Sequence, residues 1–252
     1  MLKIFRKSPP PAPAAVPKGT RVYAIGDIHG RLDLLEQLVG QIEADQAARG
    51  ASEIQLIFLG DVIDRGPDSR GVIDLLMDLG RRYPNTRFLK GNHEELLLLA
   101  LEDNREAVRL FSRVGGRATA VSYGIAGELF DAVDCGELHQ LLVRHVPPEH
   151  VAFIEGFEDL VQLGGYAFVH AGVRPGSALS EQKPSDLRWI RREFLHSTDD
   201  HGAVVVHGHS PSEEVQQRPN RIGIDTGAFS TGRLTALGLE GSERWILQTA
   251  AA

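Results

Sequence analysis

With 252 residues, 42% of them hydrophobic and 24% charged, the chain has enough apolar material to bury a sizeable core, as one large domain or two small ones. A formal net charge of -7 disfavours nonspecific binding to nucleic acid, although it leaves room for a local basic site. The single cysteine, Cys135, excludes an intramolecular disulfide framework and a thiolate-built zinc site, and suits a reducing cytosol, so a cytoplasmic location is expected.

Residues 1–19 start with Lys3, Arg6 and Lys7 and then turn rich in proline and alanine. They lack the roughly 7–15-residue apolar core of a secretory signal, and a disordered or polyproline-like tail is expected. The following apolar run, Arg21 to Ile25, reads as a strand that ends in Gly26-Asp27-Ile28-His29-Gly30. Leu32, Leu34, Leu35, Leu38, Val39 and Ile42 then repeat at helical spacing until Gly50. A second strand, Ile54 to Leu59, runs into Gly60-Asp61-Val62-Ile63-Asp64-Arg65-Gly66. Two carboxylates and a guanidinium within five residues are costly to bury without a metal or a partner. A helix through Val72, Ile73, Leu75, Leu76 and Leu79 follows, broken at Pro84-Asn85. Thr86 to Leu89 reads as a third strand, ending in Gly91-Asn92-His93-Glu94, and Leu96 to Leu101 continues as helix. That run is the strongest apolar stretch and is far short of the roughly 20 residues a membrane helix needs, so no membrane partner is expected.

Residues 103–150 carry mainly helical pattern, interrupted by Gly115-Gly116 and Ser122-Tyr123-Gly124, with no ligand-like cluster. They read as a helical insertion in a single domain spanning 20–252, because site-like motifs lie on both sides. Tyr166 to Val169 is a strand ending in His170-Ala171-Gly172. Asp186 to Leu195 reads as a helix with Arg188, Arg191 and Arg192 beside Trp189 and Phe194. Ala203 to Val206 is an apolar strand ending in His207-Gly208-His209. Ile222 to Asp225, Leu234 to Leu239 and Trp245 to Leu247 are shorter strands whose glycine and threonine punctuation suggests antiparallel turns.

Five apolar runs therefore end in polar groups: Asp27/His29, Asp61/Asp64, Asn92/His93, His170 and His207/His209. In open α/β sheets, sites form beyond the carboxyl ends of strands, so five such ends can meet at one place. Aspartate, asparagine and histidine supply oxygen and nitrogen donors, a set that fits Mn, Fe or Zn better than an all-oxygen Mg or Ca cage. Six good ligands exceed the need of one catalytic ion, whereas two ions sharing a carboxylate use them all, and Asp61 is the natural bridge.

Taken together, Gly-Asp-x-His-Gly, Gly-Asp-x-x-Asp-Arg-Gly, Gly-Asn-His-Glu, His-Ala-Gly and a late Gly-His resemble the signature of the calcineurin-like metallophosphoesterases, over about Arg21 to Leu239. The Asp-Arg-Gly extension and His-Ala-Gly resemble the phosphoprotein phosphatase branch, with its bacterial serine/threonine phosphatases and symmetrical dinucleoside-tetraphosphate hydrolases. The resemblance implies an α/β/β/α sandwich of two mixed sheets flanked by helices. It implies two divalent ions, Mn²⁺ foremost with Fe or Zn as alternatives. Asp27, His29 and Asp61 would hold the first, and Asp61, Asn92, His170 and a late histidine the second. By the Gly-His pattern that histidine is His209, leaving His207 to support the ligands or to packing. His93 is implied as the general acid, oriented by Asp64, with Arg65 as a phosphate clamp. Trp189-Ile190-Arg191 is similar to a bacterial Trp-Ile-Arg pattern, which selects Arg191 over Arg188 and Arg192 as a second clamp. Asp225, in Ile-Asp-Thr-Gly, is expected to be structural or to support the ligands.

The expected activity is phosphomonoester hydrolysis by a metal-bridging hydroxide on phosphoserine or phosphothreonine in proteins. A symmetrical dinucleoside-tetraphosphate hydrolase is the alternative. It would be marked by stacking aromatics and basic groups in the insertion, where Phe111, Tyr123, Phe130, Arg105, Arg109, Arg113 and Arg117 stand. A non-catalytic metal- or phosphate-binding module would be credible if a ligand or His93 were missing, and none is. The substrate is thus a phosphorylated protein or a small phosphoester or nucleotide.

Overall fold

The structure is a computed structural model and describes residues 13–250. In chain order the elements begin with β1 (Thr20–Ile25), α1 (Leu32–Arg49), β2 (Glu53–Phe58), α2 (Ser69–Arg82) and β3 (Arg87–Phe88). A helical run follows: α3 (Asn92–Leu101), α4 (Arg105–Val114), α5 (Gly116–Ser122), α6 (Gly127–Ala132), α7 (Cys135–His145) and α8 (Pro148–Glu155). Then come β4 (Leu160–Leu163), β5 (Tyr166–Val169), α9 (Pro184–Trp189), α10 (Arg192–Leu195), β6 (Val204–His207), β7 (Gln216–Gln217) and β8 (Arg221–Gly223). The chain closes with α11 (Ala228–Thr231), β9 (Thr235–Glu240) and β10 (Glu243–Gln248).

The strands form two mixed five-stranded sheets, in the orders β10-β9-β1-β2-β3 and β4-β5-β6-β8-β7. The alternation of side chains along each strand sorts the apolar residues into layers. Tyr23, Ile25, Leu56 and Phe58 face outward from the first sheet onto α1, α2 and α3, where Leu35, Leu38, Ile73, Leu76 and Leu97 lie. Val22, Ala24, Ile57 and Leu59, of opposite parity, face the second sheet and meet Tyr166, Phe168, Val206 and Ile222. Ala167, Val169 and Val205 point out of the far side onto Leu187, Ile190 and Phe194. Both faces of both sheets are therefore covered, as strands apolar on both sides require, and the expected α/β/β/α sandwich is what forms.

Local chemistry sets the boundaries. Helix α1 ends at Gly50, whose φ of 83° suits a residue without Cβ. Helix α2 starts at Asp68, whose side chain accepts from the Gly71 N–H at 2.7 Å. It ends at Tyr83, the residue before Pro84, where helical backbone is disfavoured.

Four local expectations are corrected. The helix expected over Asp186 to Leu195 breaks in two, because Ile190 (ψ 142°) and Arg191 (φ -132°) leave helical geometry. The break keeps Ile190 in the core while turning the Arg191 side chain toward His209. Strand β8 pairs parallel with β6, because the chain crosses over instead of turning back. Its antiparallel neighbour is β7, two exposed glutamines that carry no apolar signal, whereas the antiparallel expectation holds for β9 and β10. Strand β4 is an edge strand with a single buried residue, Val161, and was not expected.

Of the expected tail, residues 1–12 lie outside the described residues, but residues 13–19 are tied down. Val16 is buried and donates its N–H to the Gly241 carbonyl at 2.9 Å, while the Ala15 carbonyl accepts from Gly165 at 2.9 Å. The segment thus links the β9–β10 turn of one sheet to the β4–β5 turn of the other. Among the described residues no helix is long and apolar enough to cross a membrane.

The five helices α4 to α8 bury Val108, Phe111, Ala120, Leu138, Leu142 and Ile154 in the same apolar cluster that covers the first sheet. Replacing Phe111, fully buried at the centre of this shared layer, with alanine is expected to cost about 3–5 kcal/mol. Calorimetry should show one unfolding transition shifted down as a whole. A separate early transition for the helical segment would contradict the shared core.

Candidate metal centre

The centre lies beyond the carboxyl ends of β1, β2, β3, β5 and β6. Short turns carry the polar residues out of each strand, and they do so through unusual backbone. Six non-glycine residues have left-handed φ among the described residues: His29 (47°), Asp61 (48°), Asp64 (70°), Arg65 (68°), Asp103 (62°) and His209 (62°). All but Asp103 belong to the expected site. Such conformations cost energy and persist where surroundings enforce them. The enforcement is visible. The Ile28 and His29 N–H groups both donate to the Asp61 carbonyl, at 3.1 and 2.9 Å, locking the first turn onto the second. A Cβ on Gly60 would lie 2.6 Å from the Gly91 nitrogen, so only glycine lets the second and third turns approach.

The side chains converge in two groups. Ligand atoms of His29, Asp61 and His93 lie within 4.8 Å of one another, and so do those of Asp61, His170 and His209. Asp61 belongs to both. His29 Nδ1 donates to the Ile63 carbonyl at 2.9 Å and His170 Nδ1 to the Leu59 carbonyl at 2.8 Å. Because a carbonyl only accepts, Nδ1 carries the proton in both and each ring turns its Nε2 into the cluster, the usual orientation of a metal-binding histidine. His170 Nε2 then faces Asn92 Oδ1 at 3.1 Å and Asp61 Oδ1 at 3.3 Å. Three acceptor atoms meeting at such distances call for a cation, either a proton or a metal ion, so the donor set fits divalent metal.

Asp27 lies beside these groups without joining either. Its two carboxylate oxygens accept from the His209 N–H at 3.2 and 3.0 Å, and a Cβ on Gly208 would strike the same carboxylate. His93 Nδ1 donates to Asp64 Oδ2 at 2.6 Å. Arg65 spans the mouth, with Nη1 3.0 Å from His29 Nε2 and Nη2 3.1 Å from His93 Nε2. Arg191 Nε donates to His209 Nε2 at 2.9 Å from the opposite side. Arg188 is instead paired with Asp159 and Glu95, and Arg192 is exposed. His207 packs edge-on against Phe194 and belongs to neither group.

The electrostatics follow from burying so many charges. Burial, and then the charges of Asp225 and Asp61, push the Asp27 carboxyl well above its usual range. Burial pushes His29 and His209 down to about 3, so both rings are neutral, as ligands must be. Burial is the largest influence on His93 and His170 as well and lowers both, but neighbouring groups together outweigh it and raise them: Asp61 and Asp64 at His93, Asp61 and Glu94 at His170. Five carboxylates are buried here, those of Asp27, Asp61, Asp64, Glu94 and Asp225, and divalent cations supply charge that balances them.

Two contributions were not anticipated. Glu94, the last residue of Gly-Asn-His-Glu, accepts from the backbone N–H groups of Gly91, Asp61 and Val62 at 2.8, 2.9 and 2.9 Å. Its place three residues into α3, where a glutamate caps a helix start, was the available signal. Phe229 is half-exposed, with its ring 4.8 Å from the Arg65 guanidinium and edge-on to His29 at 5.5 Å. Its segment carries no motif. Together with Arg31, Asp33, Arg65 and Pro67 it lines an open cavity of about 600 Å³ beside the centre.

This arrangement has relatives. The chain is 30% identical over 228 residues to serine/threonine-protein phosphatase 2 of Escherichia coli, covering 85% of this chain and 90% of that protein. It is 26% identical over 238 residues to the asymmetrical bis(5′-nucleosyl)-tetraphosphatase of Anoxybacillus flavithermus, covering 84% and 88%. A solved structure provisionally assigned as a diadenosine tetraphosphatase superposes with a TM-score of 0.63, at 22% identity, over 95% of this chain and 100% of the other, and shows the same fold. The calcineurin-like phosphoesterase family model matches residues 20–237. The chain belongs to the calcineurin-like phosphoesterases, a family with a binuclear metal site, and is a metal-dependent phosphoester hydrolase.

Proposed function

We propose that this hydrolase removes phosphate from phosphoserine and phosphothreonine in proteins. Asp27, His29 and Asp61 hold one divalent ion, and Asp61, Asn92, His170 and His209 hold the other. Mn²⁺ is the best match to mixed carboxylate, amide and imidazole donors. Bound there, the ions supply Lewis-acid activation of water and of the phosphoryl oxygens. The residues of the chain do the rest. Arg65 and Arg191, on opposite sides of the cluster, hold the phosphoryl oxygens by charge-assisted hydrogen bonds. Asp64 fixes His93 with its Nδ1–H inward, which presents Nε2 to the leaving oxygen. His93 protonates that oxygen as it departs. Arg65 and Arg191 beside two divalent ions give the mouth of the centre the positive charge that suits a phosphomonoester dianion.

The observation that favours a protein substrate is the burial of the insertion's aromatics. Phe111, Tyr123 and Phe130 lie in the core, with the Tyr123 hydroxyl hydrogen-bonded to His150, so none is free to stack on a base. Arg105 and Arg117 are paired with Asp103 and Asp131, which removes two cations from a polyphosphate site. The dinucleoside-tetraphosphate reading draws on a different observation. Phe229 and Trp189 are both exposed, near Arg65 and Arg191 respectively, and offer rings to a base.

Metal-free protein reloaded with Mn²⁺ should favour phosphoserine peptides over diadenosine tetraphosphate in kcat/KM. A preference of about tenfold or more for the dinucleotide would overturn the first reading. Asp61→Asn is expected to lose metal and activity together. His93→Asn should keep both metals while kcat on poor leaving groups falls by about 10²–10⁴-fold. Loss of one metal equivalent in His93→Asn would instead make His93 a ligand, as its proximity to His29 and Asp61 allows.

A further inference from the structure

We propose that Thr119, on α5 of the helical insertion, is a positioning residue for the His93–Asp64 pair, with Ser69 as its support. The inference rests on the acid role of His93 given above. Thr119 is fully buried, and its Oγ1 donates to Asp64 Oδ1 at 2.6 Å. The other carboxylate oxygen, Oδ2, is the one that accepts from His93. Thr119 and His93 therefore hold the Asp64 carboxylate from opposite ends.

Counting protons orders the chain. Thr119 has one hydroxyl proton and gives it to Asp64. Its contact with Ser69 Oγ, at 2.8 Å, must then be a bond donated by Ser69. The Asp64 N–H points back at both hydroxyls, 3.0 Å from Ser69 and 2.9 Å from Thr119. The sequence runs from Ser69 to Thr119 to Asp64 and ends on the carboxylate that His93 uses. Consecutive hydrogen bonds in a buried site polarise one another, which strengthens the last of them. The carboxylate so fixed sets the tautomer and the angle of the His93 ring.

The same stretch also braces the neighbouring residue. The Arg65 N–H donates to the Gly115 carbonyl at 3.1 Å and Arg65 Nε to the Val114 carbonyl at 3.3 Å. A Cβ on Gly115 would sit 2.6 Å from Arg65 Cγ. Residues 114–119 thus hold Asp64 and Arg65, two consecutive residues with left-handed backbone, in the conformations the site needs.

Thr119→Val keeps the shape and removes the donor. Because the Asp64 N–H still has Ser69, the backbone stays satisfied. With Mn²⁺-loaded enzyme, kcat for phenyl phosphate should fall about 10- to 100-fold with KM little changed. For 2,4-dinitrophenyl phosphate, whose leaving group needs no proton, kcat should barely move. Metal content should match wild type, and Thr119→Ser should restore kcat. Equal losses on both esters, no loss on either, or failure of Thr119→Ser to restore kcat would overturn the proposal. If Thr119→Val folds poorly, Ser69→Ala removes the first donor while Thr119 still accepts from the Asp64 N–H, and it must show the same leaving-group selectivity. His93→Asn is the control. If it shows no selectivity, the acid reading fails. If it does and Thr119→Val does not, only the role of Thr119 fails.

Discussion

The Glu94 carboxylate, buried beneath the turn at Asp61, is the contact on which the centre depends. Asp61, Asp64 and Arg65 all sit in left-handed backbone, a cost of about 1–3 kcal/mol each. Their turn must also leave several backbone donors inside the protein, away from water. Glu94 accepts from Asp61, Val62 and, at 3.4 Å, Ile63 of this turn and from Gly91 at the start of α3, and hydrogen bonds to a charged acceptor contribute about 1.5–3 kcal/mol each. The two sums are of the same order, so one carboxylate offsets much of the strain. It also fixes geometry, because it joins the turn after β2 to the start of α3. Asp61 and the pair Asn92 and His93 are thereby set against each other before any ligand arrives.

The second constraint is charge. Asp27, Asp61, Asp225 and Glu94 are all nearly or fully buried, and the neutral rings of His29 and His209 do nothing to balance them. Asp225 accepts from the Gly227 N–H and touches no ligand atom, yet it stands behind Asp27 and helps push that carboxyl up. Without cations the cluster can persist only by holding protons. Two divalent ions would meet this negative charge directly, which makes the crowding of carboxylates a reason for tight metal binding. The architecture permits this crowding because strand ends are stiff. Five of them, from two packed sheets, deliver their side chains to one small volume with little freedom to move apart.

Much of this was legible in the sequence because strand ends and glycine-bracketed polar turns leave local signals. Asp27, His29, Asp61, Asn92, His93, His170 and His209 each follow an apolar run, and the sandwich follows from runs apolar on both faces. Both late histidines are buried, and position distinguishes them: His209 stands in the cluster and His207 against Phe194. What stayed hidden depends on long-range contacts. The break at Arg191 cannot be read locally, since residues 186–195 have ordinary helical periodicity. It exists because Ile190 is required in one layer and Arg191 in another place. Strand β7 has no apolar residue to announce it. Residues 13–19 look like tail by composition, yet they meet turns more than 140 residues downstream. The insertion offered three aromatics and four arginines as a tempting nucleotide site, and tertiary packing placed the aromatics inside.

The division of labour between the two kinds of element explains how close relatives carry names for different substrates. Proteins named for phosphoprotein and for dinucleotide hydrolysis each align with more than four-fifths of this chain. The polar cluster rides on the sheets and is sensitive to any shift, because the His29 N–H is bonded to the Asp61 carbonyl and the His209 N–H to the Asp27 carboxylate. The groups at the mouth of the centre come from elsewhere. Arg191 stands at a helix break, Phe229 at a four-residue helix, and Arg65 leans on the carbonyls of the insertion. These segments can be altered while the sandwich core stays unchanged. Substrate choice is therefore set at the periphery, but the insertion is not merely peripheral. By bracing Asp64 and Arg65 together, it ties the guanidinium at the mouth of the centre to the buried His93–Asp64 pair.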